Sequence, residues 1–178
     1  VVRTYSGKTI EVMNTDAEGR MVLADTLTFA SRAKPRLIMD YATLTGACVG
    51  ALSTRMSGAV TNRMELVPTV IEAGWESGER VWPFPLEKDY DKALKSSIAD
   101  VKQCTLDSDA DHILAAAFLR KFIEGDMPWV HIDLSAGNHK GGLVSKARRC
   151  TRRIPGSHVD SGRDGELLLR RREESEER

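Results

Sequence analysis

Short apolar runs suited to strands alternate with stretches of helical period from Thr9 to Leu134, and this alternation constrains the fold most. Thr9 to Met13 reads as a strand. Beyond Gly19, the segment Met21 to Ala33 sets Leu23, Leu27 and Ala30 on one helical face, and Pro35 closes the helix. Leu37 to Ala42 reads as a buried strand, Leu44 to Leu52 as a helix of small residues that packs closely beneath a sheet, and Gly58 to Thr61 as another strand. A helix from Glu65 to Trp75 tolerates Pro68 in its first turn. Val81 to Leu86 contains two prolines, which remove donors and fix φ, so a rigid apolar loop is expected there. Helices are expected around Glu87 to Lys95 and from Asp111 to Glu124, the second with a stripe of Ile113, Leu114, Ala117, Phe118 and Phe122. Trp129 to Leu134 is the last strand. The expected fold class is α/β, with α/β/α layers about a mixed, largely parallel sheet.

At 178 residues the chain is long enough for one well-buried core, since a domain of about 150 residues buries roughly 70% of its unfolded surface. Its 26 basic and 26 acidic residues cancel, which argues against a polycation working on nucleic acid. The balance is uneven: residues 1–139 hold 15 Lys/Arg against 19 Asp/Glu, while residues 140–178 hold 11 against 7. All ten aromatics lie at or before Trp129, so the end of the chain is expected to be a charged, solvated tail. Cys48, Cys104 and Cys150 are odd in number and widely spaced, which argues against a disulfide framework. The longest apolar run, Ile113 to Leu119, falls far short of the ~20 residues a membrane helix requires. A soluble, reducing, cytoplasmic setting is expected.

The densest group of reactive side chains is Asn14-Thr15-Asp16-Ala17-Glu18-Gly19-Arg20. If this segment is extended, Asp16, Glu18 and Arg20 project from one face at the end of the first strand, where open α/β sheets bind their ligands. Adjacent carboxylates repel unless a cation or proton intervenes, and dinuclear metal sites use such acids. Arg20, with free N–H groups at the following helix start, offers an anion or oxyanion site. A surface salt-bridge cluster is the simpler alternative for this pattern taken alone.

The full string Asn-Thr-Asp-Ala-Glu-Gly-Arg resembles the signature of the leucine (cytosol) aminopeptidase family of dinuclear metallopeptidases. Asp40-Tyr41-Ala42-Thr43-Leu44-Thr45-Gly46-Ala47, the Trp/Pro segment Val81 to Leu86, and Trp129 to Leu134 with Ser135-Ala136-Gly137 are similar to further family segments, in the family's order. The resemblance implies a metal-dependent leucyl aminopeptidase that releases N-terminal residues from peptides by attack of a metal-bridging water. It implies Asp16 and Glu18 as metal ligands, Glu18 bridging, and Arg20 as a catalytic residue. It further implies bicarbonate at Gly19, Arg20 and Met21, with Thr43 and Leu44 lining the substrate site. The implied cofactors are two divalent ions, manganese or zinc, and bicarbonate. The implied partners are peptides with a free N-terminus and a homo-oligomer, a hexamer, with neither membrane nor nucleic acid involved.

The family's other ligands, a Lys and further Asp residues, belong upstream of the signature, where only thirteen residues precede Asn14 here. Residues 1–143 are therefore expected to be the C-terminal part of a catalytic domain carrying only part of the active site, and 144–178 a charged tail unlike the family. The alternative is a non-catalytic structural or oligomer-forming fragment of the same fold. Among lesser candidates, His131 and Asp133 are expected to form structural hydrogen bonds at a sheet edge or subunit contact rather than bind metal. Asp107, Asp109 and Asp111 are read as acids at a helix N-terminus, because the Gly and closing Glu of a calcium loop are missing. Gly137 to Gly142 reads as a flexible turn.

Overall fold

In the computed structural model, residues 1–107 and 109–137 are described. The chain runs through β1 (Val2–Arg3), β2 (Thr9–Glu11), a 3-10 turn at Thr15–Ala17, α1 (Glu18–Arg32) and β3 (Ile38–Ala42). It continues through α2 (Gly46–Leu52), β4 (Ser57–Thr61), α3 (Val67–Ser77), β5 (Val81–Pro83) and a 3-10 turn at Lys88–Lys92. β6 (Val101–Lys102), α4 (Asp111–Arg120) and β7 (Trp129–Asp133) complete it, followed by a 3-10 turn at Leu134–Ala136. The expected tail 144–178, and the expected turn beyond Gly137, lie outside the described residues.

Four strands form the main sheet in the order β3-β7-β4-β5, with β3 parallel to β7, β7 antiparallel to β4, and β4 parallel to β5. β7 is paired on both edges and all five of its residues are buried, which suits its apolar alternate positions Val130 and Ile132. On one face, Leu27 of α1 and Leu114 and Phe118 of α4 share a core with Ile38, Val60 and Trp129. On the other, Ala59, Val81, Val130 and Ile132 pack with Leu66 and Val70 at the start of α3. The α/β class with a mixed sheet thus matches the expectation. α4 departs from an amphipathic stripe: every residue from Ile113 to Leu119 is buried, so the helix is enclosed on all sides.

Three expected elements need correction. Val81 to Pro83 is a strand, because β5 lies at the sheet edge and a missing proline donor there costs no ladder bond. The pairing continues beyond it, with Phe84 N–H donating to the Ala59 carbonyl at 2.8 Å. The helix expected around Glu87 to Lys95 is only a 3-10 turn, and α4 stops at Arg120 rather than Glu124. A second sheet, β1-β2-β6, was not foreseen, since strands of two or three residues are too short to show a period. It matters because β6 leads directly into Gln103, beside the signature segment.

Close approach fixes one glycine. A Cβ on Gly58 would sit 2.8 Å from both Cys48 Sγ and Phe84 Cε2, where β4 passes beneath α2. Gly58→Ala is therefore expected to cost about 1–3 kcal/mol through overpacking. Urea denaturation checks this, and a loss below a few tenths of a kcal/mol would show that the ring and thiol move aside freely.

Candidate active site

Asn14 is extended and caps the turn that follows, its side-chain oxygen accepting the Asp16 N–H at 2.9 Å. The chain then coils through Thr15–Ala17 and into α1 at Glu18. The extended face proposed for Asp16, Glu18 and Arg20 is thus not formed. In this coil, residues two apart do not share a face. Asp16 and Glu18 are exposed, while Arg20 is turned into the protein with only 3% of its surface accessible. Among the described residues no ion pair engages Asp16 or Glu18. Glu18 stands in the first turn of α1, where the helix dipole favours a carboxylate.

Arg20 is held by two distant residues that the sequence did not connect to it. Its Nη2 donates to both carboxylate oxygens of Asp111 at 3.0 Å, and its Nη1 donates to the Gln103 carbonyl at 3.2 Å. Nε–H is buried without a partner. Asp111 opens α4 immediately after Ala110, a non-glycine residue at φ 53°, so the turn that delivers this carboxylate is itself strained.

Gln103, fully buried, pins the signature segment. Its Oε1 accepts from the amides of Met13 at 3.2 Å and Asn14 at 3.1 Å, and its Nε2 donates to the Ala17 carbonyl at 2.9 Å. Asp111 was read only as a helix-start acid, and Gln103 was not singled out. No periodicity or motif spacing links position 20 to positions some 83 and 91 residues later.

The second candidate segment follows β3. Thr43 is exposed and Leu44 half-buried, and Thr45 caps α2 with its hydroxyl accepting the Cys48 N–H at 3.3 Å. Leu44 Cδ1 lies 3.7 Å from where a Cβ on Gly19 would stand, so this loop packs against the first turn of α1. The structure therefore brings Gly19 and Leu44 together. Asp133, at the end of β7, takes the Leu44 N–H on Oδ1 at 3.1 Å and the Thr45 hydroxyl on Oδ2 at 2.7 Å.

His131 and Asp133 are both engaged in hydrogen bonds, as the structural reading expected, although β7 is a central strand and not a sheet edge. His131 Nδ1 lies 2.6 Å from Asp40 Oδ1, and the other Asp40 oxygen accepts Trp129 Nε1–H at 2.6 Å. His112 packs its ring on Phe84 with centroids 4.3 Å apart, and burial holds its pKa below the ordinary value against the opposing charges of Asp133 and Asp111.

Cys48 and Cys104 are free and buried. Burial, aided by the Asp133 charge, pushes the Cys48 thiol up to about 11, and burial also raises Cys104. The reactive form is the thiolate, so at pH 8 Cys48 stands almost wholly in the unreactive thiol form. Both thiols are expected to resist iodoacetamide in the folded protein and react on adding urea. Site-resolved mass spectrometry checks this, and rapid native alkylation of Cys48 would contradict the packing described.

Among the described residues, no group of three or more His, Cys, Asp or Glu side chains is arranged to hold an ion. Nor is any helix among them long and apolar enough to cross a membrane.

Residues 1–159 match the model of the cytosol aminopeptidase family, catalytic domain. The chain is similar to a probable cytosol aminopeptidase of Syntrophotalea carbinolica, 52% identical over 135 residues that make up 76% of this chain and 27% of the relative. A probable cytosol aminopeptidase of Chlorobium phaeobacteroides is 48% identical over 136 residues, 76% of this chain and 27% of the relative. Its counterpart in Chlorobium limicola is 46% identical over 150 residues, 83% of this chain and 30% of the relative. The chain thus spans under a third of the length of these curated relatives. With most of its length matched and its α/β fold in agreement, the chain belongs to the cytosol aminopeptidase family.

Proposed function

We propose that this chain contributes part of the active site of a leucyl aminopeptidase that removes N-terminal residues from peptides in the cytoplasm. The observation that carries the reading is the approach of the Leu44 side chain to Gly19 in the first turn of α1, which brings the two family-like segments to one place. Thr43 and Leu44 line the substrate side of this junction, and Arg20 is the catalytic side chain beneath it. An anion such as bicarbonate would be held by the main chain of Gly19 and Met21 and by Arg20, whose Nε–H is buried without a partner.

Asp16 and Glu18 are the two metal ligands that this chain supplies in the proposal, for manganese or zinc. They do not by themselves fit a dinuclear site, because a catalytic metal takes about three protein ligands per ion and no group of three or more His, Cys, Asp or Glu among the described residues could hold one. The chain's own residues bind and orient: the loop at Thr43–Leu44 seats the peptide, and Arg20, its charge balanced by Asp111, keeps one unpartnered N–H as the donor in this proposal.

A homo-oligomer, a hexamer by the family resemblance, belongs to the same proposal. It is supported by an apolar groove of about 350 Å³ between β3 and α3, lined by Met39, Tyr41, Val70 and Ile132 among others. Met39 and Tyr41 are 44% and 58% exposed there, more than a closed core leaves open.

The test is a graft in which this chain replaces the matched segment of the Syntrophotalea carbinolica relative. The graft should cleave L-leucine 4-nitroanilide and spare its N-acetyl derivative, which lacks the free α-amine. Cleavage of both would deny aminopeptidase selectivity. A folded graft that cleaves neither would favour the non-catalytic, structural reading of the chain.

A further inference from the structure

We propose that Asp133 is the positioning residue of the substrate loop, acting through Leu44 rather than touching the substrate. This rests on the reading of Thr43 and Leu44 as the substrate-lining residues. Asp133 is buried at the end of β7, with both carboxylate oxygens engaged. Oδ1 accepts the Leu44 N–H at 3.1 Å, the Ser135 N–H at 3.0 Å and the Ser135 hydroxyl at 2.6 Å. Oδ2 accepts the Thr45 hydroxyl at 2.7 Å. The Ser135 Oγ in turn accepts the Thr45 N–H at 3.0 Å, and the Thr45 hydroxyl accepts the Cys48 N–H.

One carboxylate therefore holds two successive residues of the loop, directly and through Ser135, and ties them to the start of α2. A buried charge is tolerated only when its lone pairs are filled, and here four donors fill them. The base of the clamp is rigid, because β7 is paired on both edges. Its far end is Leu44, whose side chain lies against Gly19 of α1. Main-chain placement at Leu44 is thus set by a residue 89 positions later. Helix α2 alone does not set it, since its cap begins one residue further on, at Thr45.

The experiment uses the Syntrophotalea carbinolica graft, in which the rest of the relative is present, with Asp133→Ala, Asp133→Asn, Asp133→Leu and Thr45→Val. Site-resolved amide hydrogen exchange by mass spectrometry reads the clamp, and the protection that L-leucinamide confers at Thr43 and Leu44 reads the substrate loop. Asp133→Ala is expected to speed exchange at Leu44 by roughly 10- to 100-fold, the loss of a charge-assisted hydrogen bond, while Tyr41 and Val130 keep their protection. Leucinamide binding should weaken by a similar factor. Asp133→Asn retains an acceptor oxygen for the Leu44 N–H and should restore most of both readouts, whereas Asp133→Leu, which fills the space without an acceptor, should not, although a bulk packing role would require it to. Thr45→Val, which deletes the Oδ2 contact and the Cys48 cap but leaves the Leu44 N–H bonded to Oδ1, should affect Leu44 less than Asp133→Ala and keeps the clamp testable if that variant fails to fold.

Leucinamide protection at Thr43 and Leu44 of the graft that persists unchanged in Asp133→Ala would overturn the proposal while leaving the site reading standing. An absence of that protection in the unsubstituted graft would overturn the site reading and the proposal with it.

Discussion

Asp111→Ala is expected to destabilise the fold by about 3–5 kcal/mol, because it leaves the guanidinium of Arg20 buried with no counter-charge. Arg20 is 3% accessible and Asp111 supplies two of its three hydrogen bonds, each at 3.0 Å. The remaining bond, to the Gln103 carbonyl, cannot neutralise the charge. The 24% exposure of the Asp111 side chain admits water to one side of the pair and places the effect toward the lower end of that range. The loss should appear in urea denaturation as a lowered midpoint with an unchanged slope. Replacing both partners, Arg20→Met with Asp111→Leu, should recover most of the stability, since buried pairs often gain little over apolar side chains. A loss below about 1 kcal/mol in Asp111→Ala would mean that Arg20 finds water or another acceptor. Its inward orientation would then not be the anchor of the signature segment.

That ion pair also marks where reading from sequence stopped. Local pattern was enough for β7, α1 and α2 and for the existence of β3, but not for the burial expected of β3, where Leu37, Met39 and Tyr41 are exposed on a face that no element among the described residues covers. Two proline residues misled the reading of Val81 to Pro83, since the cost of a missing donor depends on whether the strand lies at an edge, which only the assembled sheet decides. The segment from Asn14 to Arg20 was recognisable as a signature, yet its conformation was misread. Alternating acids suggest an extended face, whereas the Asn14 cap turns the chain into a 3-10 coil and a helix.

The least legible residues are those that hold the site from a distance. Gln103 follows a two-residue strand, Asp111 resembles any acid at a helix start, and Asp133 resembles an ordinary polar residue at a strand end. Each acts on a segment more than 80 residues away, through contacts that exist only once the sheet has formed. The apolar groove beside β3 was likewise hidden: alternation predicts which face of a strand is apolar, but not whether a helix covers it.

The proposed role of the signature is tested most directly by Glu18→Ala in the Syntrophotalea carbinolica graft, with kcat/KM for L-leucine 4-nitroanilide as the readout. Glu18 is exposed, opens α1, and makes no ion pair among the described residues, so its removal should leave thermal unfolding nearly unchanged. As a metal ligand it should matter more than an outer-sphere partner, so kcat/KM is expected to fall by more than ~100-fold. A graft that keeps its activity within about twofold after Glu18→Ala would place the chemistry elsewhere and contradict the account.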